Sequence, residues 1–174
     1  MWEAISIIDK RDDWCRIKME DGYEGWIHSF YLAEPCADSR NSLTITNRCA
    51  PIRSHRGKDG HSFAILSFGT IVPKLEQTSD YCRIQLTDGE DGFISSQQEV
   101  RSRSRYDIIK LAKSLVGVPY LWGGKSSFGY DCSGFVQMVL KTVGILVPRD
   151  TGLQIKIDWL EEISISETLP GDLV

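Results

Sequence analysis

The sequence has no apolar run near the roughly 20 residues a helix needs to span a bilayer, so no membrane-spanning helix is expected. It also has no surplus of basic charge: 20 Lys and Arg stand against 24 Asp and Glu, a net charge of −4. A sequence-independent nucleic-acid binder needs a basic face that releases counterions, so that class is set aside. Cysteine is sparse and unpaired in pattern. Cys15, Cys36, Cys49, Cys82 and Cys132 are odd in number, and no two have CxxC spacing. A complete disulfide framework is therefore excluded, and no structural metal is indicated. The opening, MWEAISIIDKRDDW, does not have the basic, apolar and small-residue order of a signal peptide. Compositional bias is absent too: 41% hydrophobic and 25% charged residues are ordinary for folded domains. The 174 residues suffice for one ordinary domain or for two or three small ones.

What is present begins with an internal repeat. Asp13–Ile27, DWCRIKMEDGYEGWI, aligns without a gap on Asp80–Ile94, DYCRIQLTDGEDGFI, at a constant offset of 67. Eight of the fifteen positions are identical, and Trp14/Tyr81, Met19/Leu86 and Trp26/Phe93 match in kind. Apolar residues alternate with polar ones, as in a half-buried strand. Each copy then turns at Asp-Gly into a second strand, which predicts a hairpin. These motifs resemble the bacterial SH3-like barrel. Residues 43–100 are long enough for a whole barrel, whereas residues 1–33 would form an N-terminally incomplete one. Ala33–Asn41 reads as a linker. Tyr23 stands where the second copy has Glu90, so only the first copy offers a phenol at its turn.

Beyond the basic stretch Arg101–Arg105, read as a solvated linker, the pattern becomes helical. Ile108, Leu111, Ala112, Leu115 and Val116 predict an amphipathic helix closed by Gly117 and Pro119. A second helix follows, with Asp131 as N-cap, Phe135, Val136, Val139, Leu140 and Val143 as buried stripe, and Gly144 at its end. Cys132 thus falls in a first helical turn, where unpaired N–H groups and the helix dipole favour an anion. The other four cysteines are expected to be small buried hydrophobes. Gly123, Gly124 and Gly129 predict a tight loop that a ligand could approach closely. Gly124-Lys125-Ser126 looks like the tail of a P-loop. Pro119 stands where that motif needs glycine, and a helix precedes it instead of a strand, so the P-loop is rejected. His55 and His61 are read as surface residues, not metal ligands.

The run PYLWGGKSSFGYDCSGFVQ, followed by PRDTGLQ and LPGDLV, resembles the NlpC-type cysteine peptidases, which are papain-like cell-wall enzymes. The resemblance spans Tyr106–Val174, and the SH3-like units bring it nearest to enzymes that cut γ-D-glutamyl-diamino-acid bonds in murein stem peptides. The fold it implies is α+β: two small SH3-like barrels, then a papain-like domain over residues 104–174 that is truncated at its C-terminus. By this resemblance Cys132 is the nucleophile, forming a thioester with the γ-D-glutamyl carbonyl. Tyr120 helps the Cys132 N–H hold the oxyanion; otherwise it is a packed aromatic after Pro119. Asp131 and Ser133 match positions that touch substrate, beside their plain roles as cap and first-turn residue. Asp150 matches the aspartate that receives the free amine of an N-terminal L-alanine, its plain alternative being a helix N-cap. Tyr23, and more weakly Glu3, match residues of the same amine pocket. No cofactor and no metal are implied. The expected partner is a murein stem peptide, with no nucleic acid or membrane, and the chain is expected to be a monomer.

The pattern breaks at the general base. The family's histidine follows the cysteine helix, after the PGDLV segment, whereas His28, His55 and His61 all precede Cys132. As written, the chain is expected to be inactive by itself and to derive from a longer protein whose histidine lies beyond Val174. The alternative is a binding module or an inactive homologue that recognises wall peptide without cutting it. Acyl transfer through the same cysteine is a third, weaker option. The compartment stays open: secretion would need a leader, and a free-amine preference would suit cytoplasmic recycling of wall peptides.

Overall fold

The computed structural model describes residues 3–34, 41–57, 60–98, 100 and 103–174. Cys36, most of the expected linker 33–41, and Arg101 and Ser102 of the basic stretch lie outside the described residues. The chain divides into two compact units, Met1–Gln98 and Glu99–Val174.

In the first unit, β1 (Ile5–Arg11), β2 (Trp14–Met19) and β3 (Glu24–His28) form an antiparallel three-stranded sheet. The remaining strands are β4 (Ser42–Thr44), β5 (Cys49–Arg53), β6 (Ser62–Ser67), β7 (Ile71–Gln77), β8 (Tyr81–Gln85) and β9 (Asp91–Ser95). They form a six-stranded sheet in the order β4-β7-β8-β9-β5-β6.

The sequence repeat is a structural repeat, residue for residue. Cys15 pairs with Ile27 and Ile17 with Gly25, while Cys82 pairs with Ile94 and Ile84 with Gly92. Both turns close alike: the Tyr23 N–H donates to Asp21 Oδ1 at 3.0 Å, and the Glu90 N–H to Asp88 Oδ1 at 3.1 Å. The turn glycines, Gly22 and Gly89, have φ of +83° and +87°, which the Asp-Gly signal anticipates. Even the cross-strand ion pair recurs, as Arg16–Glu24 at 2.8 Å and Arg83–Asp91 at 3.0 Å.

The copies differ in cover. Cys82, Ile84 and Ile94 join Ile45, Ile52, Leu66 and Val72 in one fully buried core, since the β8–β9 hairpin has neighbouring strands on both sides of it in the sheet. In the first copy Cys15 and Ile17 are buried, but Ile7, Ile8, Trp14 and Trp26 stay exposed. One cysteine expectation fails. Cys49 is exposed, because it opens β5 and the alternation gives the inward positions to Ala50 and Ile52.

The second unit holds α1 (Arg105–Ser114), β10 (Lys125–Ser126), β11 (Gly129–Tyr130), α2 (Cys132–Thr142) and α3 (Thr151–Gln154). Ser104 caps α1 by accepting from the Asp107 N–H at 3.1 Å. This helix is shorter than its apolar pattern suggests. It ends at Ser114, so Leu111 and Leu115 are buried while Val116 is 76% exposed, outside the predicted stripe. In α2 the stripe holds at Val139, Leu140 and Val143, with Phe135 and Val136 half-buried. Gly144, at φ +76°, ends the helix as expected. The final segment is tied back to α1 by Arg105, which pairs with Asp172 and donates to the Pro170 carbonyl. Among the described residues no helix is long and apolar enough to cross a membrane.

Candidate active site

Local chain chemistry places Cys132. The Leu121 N–H donates to the Tyr130 carbonyl and the Tyr130 N–H to the Pro119 carbonyl, so the glycine loop leads back beside the start of α2. Asp131 then caps the helix: its Oδ1 accepts the Gly134 N–H at 2.7 Å. Its Oδ2 reaches across to accept the Gly123 N–H at 2.9 Å. Gly124 and Gly134 are needed for packing against protein, while Gly123, at φ +76°, has nothing within 4 Å of an added Cβ. A Cβ on Gly134 would collide with the Gly124 carbonyl oxygen, and one on Gly124 with the Gly129 carbonyl oxygen. The first turn of α2 and the loop touch backbone to backbone. Lys125 and Ser126, the apparent P-loop tail, form β10 of a short hairpin with β11.

Beneath Cys132 lies a buried polar network that the sequence reading missed. The Arg149 guanidinium, in a residue only 8% exposed, donates from Nη1 to Asp131 Oδ1 at 2.9 Å and from Nη2 to Asp131 Oδ2 at 2.6 Å. Nη1 also donates to Ser133 Oγ at 2.8 Å. This two-pronged pairing, helped by the Gly134 and Gly123 N–H groups, lowers the Asp131 carboxyl from 3.8 to about 2. Gln154 adds a second tie, donating from Nε2 to the Ser133 carbonyl at 3.1 Å and the Pro148 carbonyl at 2.8 Å. Arg149 lies inside the PRD motif. The signal available was a cation eighteen positions after an N-cap carboxylate, which spacing alone cannot turn into a contact.

Above the network the surface is open. Cys132 is exposed, and its Sγ lies 3.8 Å from Thr151 Oγ1. Asp150 occupies the N-cap position of α3, yet its side chain makes no capping hydrogen bond and is exposed. The plain N-cap reading therefore does not account for its carboxylate. Asp131 and Ser133 differ from it: their side chains face inward and engage Arg149. Tyr120 bridges to Tyr130 through its backbone and is 66% exposed, so it is not simply a packed aromatic. Tyr23 and Glu3 belong to the first unit; Tyr23 is exposed on the β2–β3 turn, and Glu3 is half-buried. His55 and His61 are exposed, and among the described residues no group of three His, Cys, Asp or Glu is placed to hold a metal ion.

Known proteins share both parts of this arrangement. The NlpC/P60 family model matches residues 117–174, and the bacterial SH3 domain model matches residues 4–33. A gamma-D-glutamyl-L-lysine dipeptidyl-peptidase of Bacillus cereus is 30% identical over 171 residues, covering 87% of this chain and 51% of that protein. A dipeptidyl-peptidase 6 of Lysinibacillus sphaericus is 32% identical over 189 residues, covering 98% of this chain and 69% of that protein. The crystal structure of an NlpC/P60 family protein from Bacillus cereus superposes with a TM-score of 0.82 at 26% identity, covering 96% of this chain and 60% of that one. The chain thus spans between half and two thirds of the length of most of these proteins. Its α+β architecture, mostly sheet with a few helices, is that of solved NlpC/P60 proteins. With the exposed cysteine at the start of α2, the loop that packs against it and a relative matched over 69% of its length, the chain belongs to the NlpC/P60 family.

Proposed function

We propose that this chain is part of a cysteine peptidase that cuts the γ-D-glutamyl bond to the diamino acid in murein stem peptides bearing a free N-terminal L-alanine. The names of the Bacillus and Lysinibacillus relatives support a dipeptidyl-peptidase, and the first supports L-lysine as the diamino acid. The observation that carries the reading is the pairing, in one unit, of an exposed Cys132 sulfur with an Asp150 carboxylate that is not used as a cap.

In this reading the Cys132 thiolate attacks the γ-carbonyl carbon of D-glutamate. The carbonyl electrons move to oxygen, which the Cys132 N–H and the Tyr120 hydroxyl hold. Collapse expels the diamino-acid amine with a proton and leaves a thioester, which water hydrolyses to release the dipeptide and restore the thiol. Asp150 pairs with the substrate ammonium. Asp131 and Ser133, anchored by Arg149, form the wall beside the nucleophile.

The reaction needs a base within hydrogen-bond reach of the thiol. The chain's three histidines, His28, His55 and His61, all lie in the first unit. In the NlpC-type pattern the histidine follows the cysteine helix, and all three histidines here precede Cys132, so none of them is assigned the role of base. The second reading is a module that binds wall peptide without cutting it.

The test is incubation of the complete gene product with L-Ala-γ-D-Glu-L-Lys and with its N-acetylated form. The dipeptide and free lysine should appear from the first only, and Cys132→Ala should abolish them. Asp150→Ala should weaken cleavage of the free-amine peptide at least tenfold. Turnover of the acetylated peptide at the same rate would sink the specificity, and binding without any turnover would hand the protein to the second reading.

A further inference from the structure

The segment that carries Asp150 and Thr151 brings Thr151 Oγ1 to 3.8 Å from the nucleophile sulfur. Its α3 is only four residues long and is not stabilised by a side-chain cap. What fixes it is side-chain chemistry from below. Arg149 alone ties three stretches of chain together: Nη1 and Nη2 grip Asp131, Nη1 also holds Ser133 Oγ, and Nη2 reaches the Gly124 carbonyl at 3.4 Å. Gln154 ties the far end of α3 to the Ser133 carbonyl. The chain alternates across this anchor, with Arg149 buried and Asp150 and Thr151 exposed.

We infer that Arg149 is a positioning residue whose buried fork holds the Thr151 hydroxyl against the Cys132 sulfur, where that hydroxyl orients the nucleophile. The inference rests on the reading of Cys132 as nucleophile. A planar guanidinium suits the task because one carboxylate takes both Nη atoms while further donors still reach Ser133 and Gly124. Lysine would keep the charge but offers a single point of attachment. The fork also neutralises Asp131, the carboxylate immediately before the nucleophile, so an acidic cap does not oppose an anion on the next residue. A buried ion pair is weak evidence for stability as such, since an apolar replacement often serves as well. Its place beside the Cys132 sulfur, joining three stretches of chain, fits orientation better than bulk stabilisation.

Two measurements test this. In the 174-residue chain, iodoacetamide modification of Cys132 is followed by peptide-resolved mass spectrometry, with exposed Cys49 as internal reference. Arg149→Lys and Thr151→Val should each change the Cys132 rate by threefold or more with Cys49 unaltered, and Thr151→Ser should restore the wild-type rate. In the complete gene product, both Arg149→Lys and Thr151→Val should lower kcat about tenfold with KM within twofold, again with rescue by Thr151→Ser. Circular dichroism checks folding. If Arg149→Lys does not fold, the exposed Thr151 pair decides. Unchanged Cys132 modification in a folded Arg149→Lys, or in Thr151→Val, would overturn the inference. Absence of peptidase activity in the wild-type gene product would refute the peptidase reading instead, leaving the modification rates to judge the contact.

Discussion

Asp131 carries the heaviest electrostatic burden in the second unit. Its carboxyl is lowered to about 2 chiefly by the Arg149 guanidinium. The sign of its pH effect follows directly. A carboxyl that ionises more readily folded than unfolded adds stability above its ordinary value of 3.8, and loses it as pH falls through about 2. Over that window unfolding free energy should drop by about 2 kcal/mol from this group. Urea unfolding between pH 5 and 2 checks it, and Asp131→Asn should flatten that part of the curve. At neutral pH the same variant should cost about 3–5 kcal/mol, because Arg149 is left buried without its partner. A loss below 1 kcal/mol would mean the pair is far better solvated than its burial indicates.

Among elements, α2 is limited by what meets its first turn. Alanine in place of a helical glycine ordinarily gains about 1 kcal/mol. At Gly134 the gain should reverse to a loss of about 1–3 kcal/mol, because the new Cβ strikes the Gly124 carbonyl, a backbone atom that cannot swing aside. Gly152 in α3 is the control: nothing lies within 4 Å of its added Cβ, so Gly152→Ala should be neutral or stabilising. Thermal unfolding of the two variants separates steric contact from helix propensity. A Gly134→Ala protein as stable as the parent would deny the close approach of helix and loop that sets the direction of Cys132.

Across the whole molecule the buried apolar surface is unevenly shared. The core of Leu43, Ile45, Ile52, Leu66, Val72, Cys82, Ile84 and Ile94 lies wholly in strands β4 to β9 and their connections. A peptide of residues 41–98 should therefore unfold cooperatively, with a sigmoidal urea transition by circular dichroism. A peptide of residues 3–34 should show none, since three short strands with Ile7, Ile8, Trp14 and Trp26 exposed bury too little to order themselves. A cooperative transition in the shorter peptide would mean that its two buried residues, Cys15 and Ile17, suffice.

Much of this was legible in the chain. Period-2 alternation and the Asp-Gly turns pointed to both hairpins, while their register is set by the three-residue loops 20–22 and 87–89, which the structure shows. The Asp131 cap, the position of Cys132 in the first turn of α2 and the Gly144 stop are equally local, each set by backbone groups a few residues apart. Short-range signals were weaker where an apolar pattern outlasts its helix, as at Val116, or where a strand's first residue faces outward, as at Cys49. The buried grip of Arg149 on Asp131 and Ser133, and the approach of Thr151 to the sulfur, were decided only by tertiary structure. Those contacts join residues eighteen or so positions apart through side chains whose direction depends on how the intervening turn packs, and no periodicity in the sequence encodes that direction.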